Sequence, residues 1–248
     1  MTSTVTRDAS RLTTARAILF DLDGVLTPTV DVHRRAWARL FAPYLAEHGV
    51  PAYTDDDYFL SIDGKPRVDG VRTMLAARGL SLPEGSPTDP PGTPTVWGLG
   101  NQKNGEFEAE LVEHGVAAYP GSLEFLTAAL DAGYEVAVVS SSRNAVPVLE
   151  AAGIRDRFDV IVDGEVAAAE HLPGKPAPDT YQRAAELLGF TPEECVVVED
   201  AHSGVQAGRD GAFGLVVGVD RGVGAQELLD SGADIVVNDL DELVPALR

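Results

Sequence analysis

A doubly wound α/β core carrying a helical insertion is the fold class this sequence predicts, on three observations. Short Val/Ile-rich runs alternate with helical patterns from about residue 117 to the C-terminus. Those runs are apolar nearly throughout, as parallel strands buried on both faces are. The stretch from 30 to 116 breaks the alternation and reads as helices joined by a Pro/Gly-rich loop. Alternating strands and helices with short connections wind a parallel sheet covered on both sides.

The first strand is "AILF", Ala17–Phe20, after a Ser/Thr-rich segment without an apolar run, expected to be a flexible leader over 1–15. The insertion follows. "VHRRAWARLFAPYL" carries apolar residues at 37, 40, 41, 44 and 45, a helical stripe. "RVDGVRTMLAARG" is a second helix, "SLPEGSPTDPPGTPTVWG" a loop over 81–97, and "NQKNGEFEAELVEHG" a third helix. The core then resumes with the helix "SLEFLTAALDAG" and the strand "YEVAVVS". "AVPVLEAAG" is a helix and "FDVIVDG" a strand. "PDTYQRAAELLG" is an amphipathic helix that turns Ala184, Ala185, Leu187 and Leu188 inward and stops at Gly189. "CVVVED", "FGLVVGV" and "DIVVND" are strands, separated by the helices "SGVQAGRDGA" and "AQELLDSG" and followed by the helix "LDELVPAL". The expected division is a core of 16–29 with 117–248, interrupted by a helical domain of 30–116.

The 248 residues suffice for such a domain with an insertion. A net charge of -20 argues against nucleic acid or an anionic membrane as partner, since both require a basic footprint. A small phosphorylated substrate stays compatible, because one metal ion or a few local cations dominate a pocket. The single cysteine, Cys195, sits in an apolar run and reads as a buried thiol. No run reaches the ~18 apolar residues of a membrane span. A cytoplasmic monomer is expected. His48, His114, His171 and His202 show no metal-ligand spacing.

In open α/β sheets, ligands bind beyond the carboxyl ends of the strands. After "AILF" come Asp21 and Asp23; after "VAVV" come Ser140, Ser141, Ser142, Arg143 and Asn144; after "CVVV" come Glu199 and Asp200. Lys175 lies in "GKPAPD" between two later elements. If those strands are neighbours, carboxylates, hydroxyls and a lysine meet at one edge. Carboxylates are hard oxygen ligands for Mg²⁺, which also binds substrate phosphate. A carboxylate can attack phosphorus and a second one can carry a proton. Positioning and charge neutralisation supply most of the catalysis in phosphoryl transfer.

"DLDGVLT", "VVSSSRN", "GKPAPD" and "VVVEDAHSGVQAGRDGA" resemble, in order, the four motifs of the haloacid dehalogenase superfamily. The resemblance implies a Rossmann-like core with an inserted cap domain. It implies Asp21 as nucleophile and Asp23 as general acid/base. Ser140, Ser141 and Lys175 would bind the transferring phosphoryl group, with a cis peptide before Pro176. Mg²⁺ would be held by Asp21, Asp23 through its carbonyl oxygen, and Asp200, with Glu199 as ligand or as its supporting neighbour. Within the superfamily the chain is most similar to the β-phosphoglucomutase-like subgroup. That similarity implies His33, Arg67 and Lys103 on the cap, and Ser142, Arg143 and Asn144 on the core, as substrate-binding residues. The expected reaction converts β-glucose 1-phosphate to glucose 6-phosphate through glucose 1,6-bisphosphate. The same chemistry ending on water would make a sugar- or polyol-phosphate phosphatase. A non-catalytic protein that kept the fold is the third reading. Pro28 stands where the family motif often carries Asp, at the exit towards the cap.

Overall fold

The computed structural model describes residues 9–247. Those residues divide into two compact units. One runs up to Pro28 and resumes at Ala117; the other is Thr29–Val116.

The first unit is built on six parallel strands: β1 (Ala17–Phe20), β2 (Glu135–Val139), β3 (Val160–Val162), β4 (Cys195–Glu199), β5 (Leu215–Val219) and β6 (Ile235–Val237). Their order across the sheet is β3-β2-β1-β4-β5-β6. Ala17 sits opposite Glu135 on one side and Cys195 on the other, so β1 is central and aligned with both neighbours. The chain runs outward from β1 in one direction and from β4 in the other. The switch point, where such sheets open a crevice, therefore lies between the ends of β1 and β4.

Both faces of β1 are covered, which explains its apolar run. Ala17 and Leu19 join a cluster with Ala137, Val197, Tyr181, Ala184 and Phe213. On the other face the Phe20 ring meets Phe125 and Phe158 edge-on, with centroids 6.1 and 6.3 Å away. T-shaped pairs at this spacing suit the aromatic quadrupole.

The helices of the second unit are α1 (Val30–Glu47), α2 (Asp55–Ser61), α3 (Arg67–Ala76) and α4 (Val96–His114). Trp37, Leu40, Phe41 and Leu45 of α1 meet Val71, Met74 and Leu75 of α3 and Leu99 of α4. Tyr44, partly buried, packs against the same cluster, so the whole stripe that the spacing predicts faces it. Arg35 and Arg39 of α1 pair with the buried Glu110 of α4. The helices of the core are α5 (Pro120–Asp131), α6 (Ala145–Ala151), α7 (Gly164–Glu170), α8 (Asp179–Leu188), α9 (His202–Asp210) and α10 (Ala225–Ser231).

Several expectations need correction. Of the leader expected over 1–15, residues 1–8 lie outside the described ones. Ala9–Thr14 forms a 3-10 turn that buries Leu12, whose carbonyl accepts from the Tyr134 hydroxyl at 2.9 Å. Leu187 does not turn inward: it is exposed on α8, while Ala184 and Ala185 fill the narrow space over the sheet. The last segment, Leu240–Leu247, is 3-10 rather than α; Pro245 lacks the N–H that an α ladder would use there. The Pro-rich loop ends before Val96, where Thr95 caps α4 by accepting from Gly98 N. It is pinned by Asp89, whose carboxylate accepts from Ser86 N at 3.1 Å and from the Thr95 hydroxyl at 2.6 Å. Cys195 is buried, as its apolar surroundings predict.

Candidate active site

The carboxyl ends of β1, β2 and β4 converge on Lys175. This side chain is 3% exposed. Its ammonium donates to Asp21 Oδ1 at 2.5 Å, Glu199 Oε1 at 2.6 Å and the Val139 carbonyl at 3.0 Å. All three ammonium hydrogens are thereby used. The Lys175–Pro176 peptide is cis.

Asp21 follows β1 directly, and its backbone N–H continues the ladder to the Val198 carbonyl at 2.9 Å. Burial pushes its carboxyl well above the ordinary range, against the pull of Lys175 and with Glu199 and Asp23 adding to the rise. Burial alone would lower the Lys175 ammonium. Asp21 and Glu199 outweigh it and hold the group protonated.

Both Glu199 oxygens accept hydrogen bonds. Oε1 accepts from Lys175 and from the Tyr181 hydroxyl at 2.9 Å; Oε2 accepts from the backbone N–H groups of Asp200 at 3.1 Å and Ala201 at 3.2 Å. Tyr181 stays a donor, because burial and then the Glu199 charge raise its phenol far above its ordinary value. Room for the carboxylate comes from Gly204 on α9, where a Cβ would lie 1.7 Å from Glu199 Oε1.

Asp21, Glu199 and Asp200 offer carboxylate oxygens within 4.8 Å of one another. An all-oxygen set of this kind fits a hard cation such as Mg²⁺ better than a soft one. Asp23 lies across from β2: the Ser140 hydroxyl donates to its Oδ2 over 3.4 Å. Ser140 Oγ also accepts from Ser142 N, and Ser142 Oγ from Asn144 N, both at 3.1 Å. The run thus forms nested turns leading into α6. Arg143 pairs with Glu165 of α7 at 3.2 Å. Ser141 lies in the same loop, its carbonyl against Gly164, where a Cβ would come within 2.9 Å.

The second unit carries the other expected residues. His33 on α1 and Lys103 on α4 meet, Nδ1 to Nζ, at 2.6 Å. Lys103 is buried and lies 4.8 Å from the Phe107 ring centroid and 5.3 Å from that of Trp37. Aromatic faces partly replace the lost hydration of such a cation. Arg67 opens α3 and packs along Gly100, where a Cβ would lie 3.5 Å from its Cγ.

The sequence reading did not single out Tyr181, Gly204, Glu165 or Arg221. Tyr181 and Gly204 sit inside helical patterns, where an aromatic residue or a small one already has a packing explanation. Only the fold brings them to Glu199.

A model of the haloacid dehalogenase-like hydrolase family matches residues 15–211. The chain is 50% identical over 240 residues to proteins named beta-phosphoglucomutase from Mycobacterium bovis and Mycobacterium tuberculosis, covering 92% of this chain and 91% of each of those. Among solved structures, it is similar to a beta-phosphoglucomutase from Clostridium difficile. That likeness has a TM-score of 0.74 and 26% identity, over 92% of this chain and 93% of that one. CbbY from Rhodobacter sphaeroides, solved with phosphate, gives a TM-score of 0.69 and 27% identity over 92% and 96%.

Proposed function

The chain belongs to the haloacid dehalogenase-like hydrolase family, and on that premise we propose that it is a Mg²⁺-dependent sugar-phosphate mutase interconverting β-glucose 1-phosphate and glucose 6-phosphate. The observation that carries this reading is the buried Asp21–Lys175–Glu199 cluster at the switch point of the sheet. The 50% identity to beta-phosphoglucomutases over nine-tenths of the chain supports the choice of sugar.

Lys175 donates to Asp21 Oδ1 and so holds the attacking carboxylate in place. Its attack forms the Asp21 O–P bond and breaks the P–O bond to the sugar, and Asp23 gives its proton to the departing sugar oxygen. In reverse, Asp23 takes the proton of the accepting hydroxyl as the phosphoryl group leaves Asp21. Ser140, Ser141 and Lys175 hold the transferring group. Ser142, Arg143 and Asn144 hold the phosphate that stays on the sugar, which the bisphosphate must present at either end, and Arg67 is assigned to substrate phosphate on the second unit. Arginine suits this clamp, since its planar fork matches phosphate oxygens. His33 and Lys103 contact substrate from the cap.

Asp21, Asp23 through its carbonyl oxygen, and Asp200 would hold Mg²⁺, which when bound neutralises charge on the phosphoryl oxygens. Glu199 is assigned to fixing Lys175 instead of the metal, because its oxygens already accept four donors.

The test is a coupled assay of β-glucose 1-phosphate with a trace of glucose 1,6-bisphosphate, run beside phosphate release. Isomerisation should far exceed hydrolysis, and Asp21→Asn should abolish both. Release of phosphate from sugar phosphates without isomerisation would overturn the mutase reading in favour of a phosphatase.

A further inference from the structure

We propose that Arg221 is a positioning residue for Asp23, acting through the carbonyl of the next residue, Gly24. Arg221 lies two residues beyond β5, outside the motifs discussed above. Its loop is held by Asp220, whose Oδ1 accepts from Gly222 N at 2.9 Å and Gly224 N at 3.0 Å. From there the side chain, 17% exposed, reaches the turn after β1, two strands away in the sheet.

Its donors point three ways. Nε donates to the Gly24 carbonyl at 3.0 Å, Nη1 to the Asn238 carbonyl at 3.0 Å and Nη2 to Asp239 Oδ1 at 2.9 Å. The guanidinium carbon sits 3.9 Å from the Tyr119 ring centroid. The planar fork reaches these acceptors from three separate nitrogens, a span that the single nitrogen of a lysine ammonium does not cover.

Gly24 follows Asp23 directly, so its conformation sets how the chain leaves the acid/base residue. Its φ is 90°, a value that favours glycine, the least restrained residue. Two bonds remove that freedom: Gly24 N donates to the Thr27 carbonyl at 2.8 Å, and the Gly24 carbonyl accepts from Arg221. The rest of the turn is tied to the core as well. The Val25 carbonyl accepts from the Ser122 hydroxyl at 2.6 Å and the Leu26 carbonyl from Tyr119 N at 2.9 Å. Arg221 touches both sides of this arrangement, at Gly24 and at Tyr119. It therefore restrains the turn that leaves the acid/base residue, while Ser140 meets the carboxylate itself.

The proposal rests on Asp23 being the general acid, and the leaving group separates the two claims. Protonation matters for an alkoxide leaving group and hardly at all for p-nitrophenolate. Single-turnover phosphorylation of the enzyme is measured with glucose 1,6-bisphosphate and with p-nitrophenyl phosphate, for wild type, Asp23→Asn, Arg221→Met and Arg221→Lys. The sugar-to-aryl rate ratio should fall at least tenfold in Asp23→Asn and in Arg221→Met, with Arg221→Lys between Arg221→Met and wild type. A purely structural role lowers both rates together and leaves the ratio alone. A ratio lowered by Asp23→Asn but untouched by either Arg221 variant overturns the positioning role and spares the acid reading. A ratio untouched in Asp23→Asn overturns both. If Arg221→Met does not fold, the Arg221→Lys ratio decides.

Discussion

Lys175, Asp21 and Glu199 share a space almost closed to water, and that makes each of them costly to disturb. Removing one partner of a buried ion pair strands the other charge, a loss of about 3–5 kcal/mol. The geometry exposes a less obvious weak point in Gly204. Any side chain there meets Glu199 before it meets anything else, since even a methyl would overlap its carboxylate. Gly204→Ala is expected to push Glu199 off Lys175 and so free the lysine from its place beside Asp21. We expect at least a tenfold loss in the rate of Asp21 phosphorylation, with a lowered melting temperature. Stopped-flow phosphorylation and calorimetry check the pair; an unchanged rate would mean that Glu199 does not set the lysine. At this scale the sequence was informative about groups that stand at strand ends, because strand ends can be read from apolar runs. It was silent about Tyr181, Gly204 and Arg221, whose roles exist only once distant segments meet.

Elements marked by an apolar run or stripe were legible even when short, as the seven-residue α6 and α10 show, and those without one were not. The six strands of the sheet coincide with apolar runs, and α8 ends at Gly189 as its pattern predicts. Both α2 and α7 escaped notice. With seven residues each, neither shows a full apolar stripe, and α7 has no fully buried residue. Tyr58 joins the apolar cluster of the second unit, and polar bonds hold the start of α2. Asp57 closes a capping box with Thr54 N at 2.8 Å and also accepts from Arg78 at 2.6 Å. Arg78 in turn donates to the Pro51 and Ala52 carbonyls at 3.0 and 3.1 Å. Burial alone would raise the Asp57 carboxyl, but the bonds from Arg78 and Thr54 outweigh it and leave it below the ordinary value. A carboxyl depressed in the folded state stabilises at neutral pH. That contribution is lost as pH falls through the ordinary carboxylate range and then the folded value. Asp57→Asn should therefore cost about 2 kcal/mol at pH 7, the order expected for charge-assisted bonds. The gap to wild type should close as pH falls from about 5 towards 3. Urea melts across that range measure it; a gap independent of pH would mean that the ionised form of Asp57 contributes nothing.

On the scale of the whole molecule, acids outnumber Lys and Arg by 39 to 19, giving the net charge of -20. Self-repulsion of that size destabilises the compact state and is relieved by salt, as screening shortens to about 10 Å at 0.1 M. The candidate site concentrates the same imbalance: Asp21, Asp23, Glu199 and Asp200 stand beside the single ammonium of Lys175. Two effects of added cations follow, and they separate by valence at fixed ionic strength. NaCl should raise the melting temperature gradually by screening alone. MgCl₂ at matched ionic strength should raise it further, because a ligand bound only by the folded state adds RT ln(1 + [L]/Kd), about 2.7 kcal/mol at a hundred times Kd. For a chain of this length that amounts to several degrees. Asp200→Asn should erase the excess due to Mg²⁺ while leaving the NaCl response in place, since one neutralised acid among 39 hardly changes the overall repulsion. Equal melting temperatures in the two salts for wild type would show that the cluster takes up no Mg²⁺ and that its carboxylates are balanced by Lys175 and solvent ions alone.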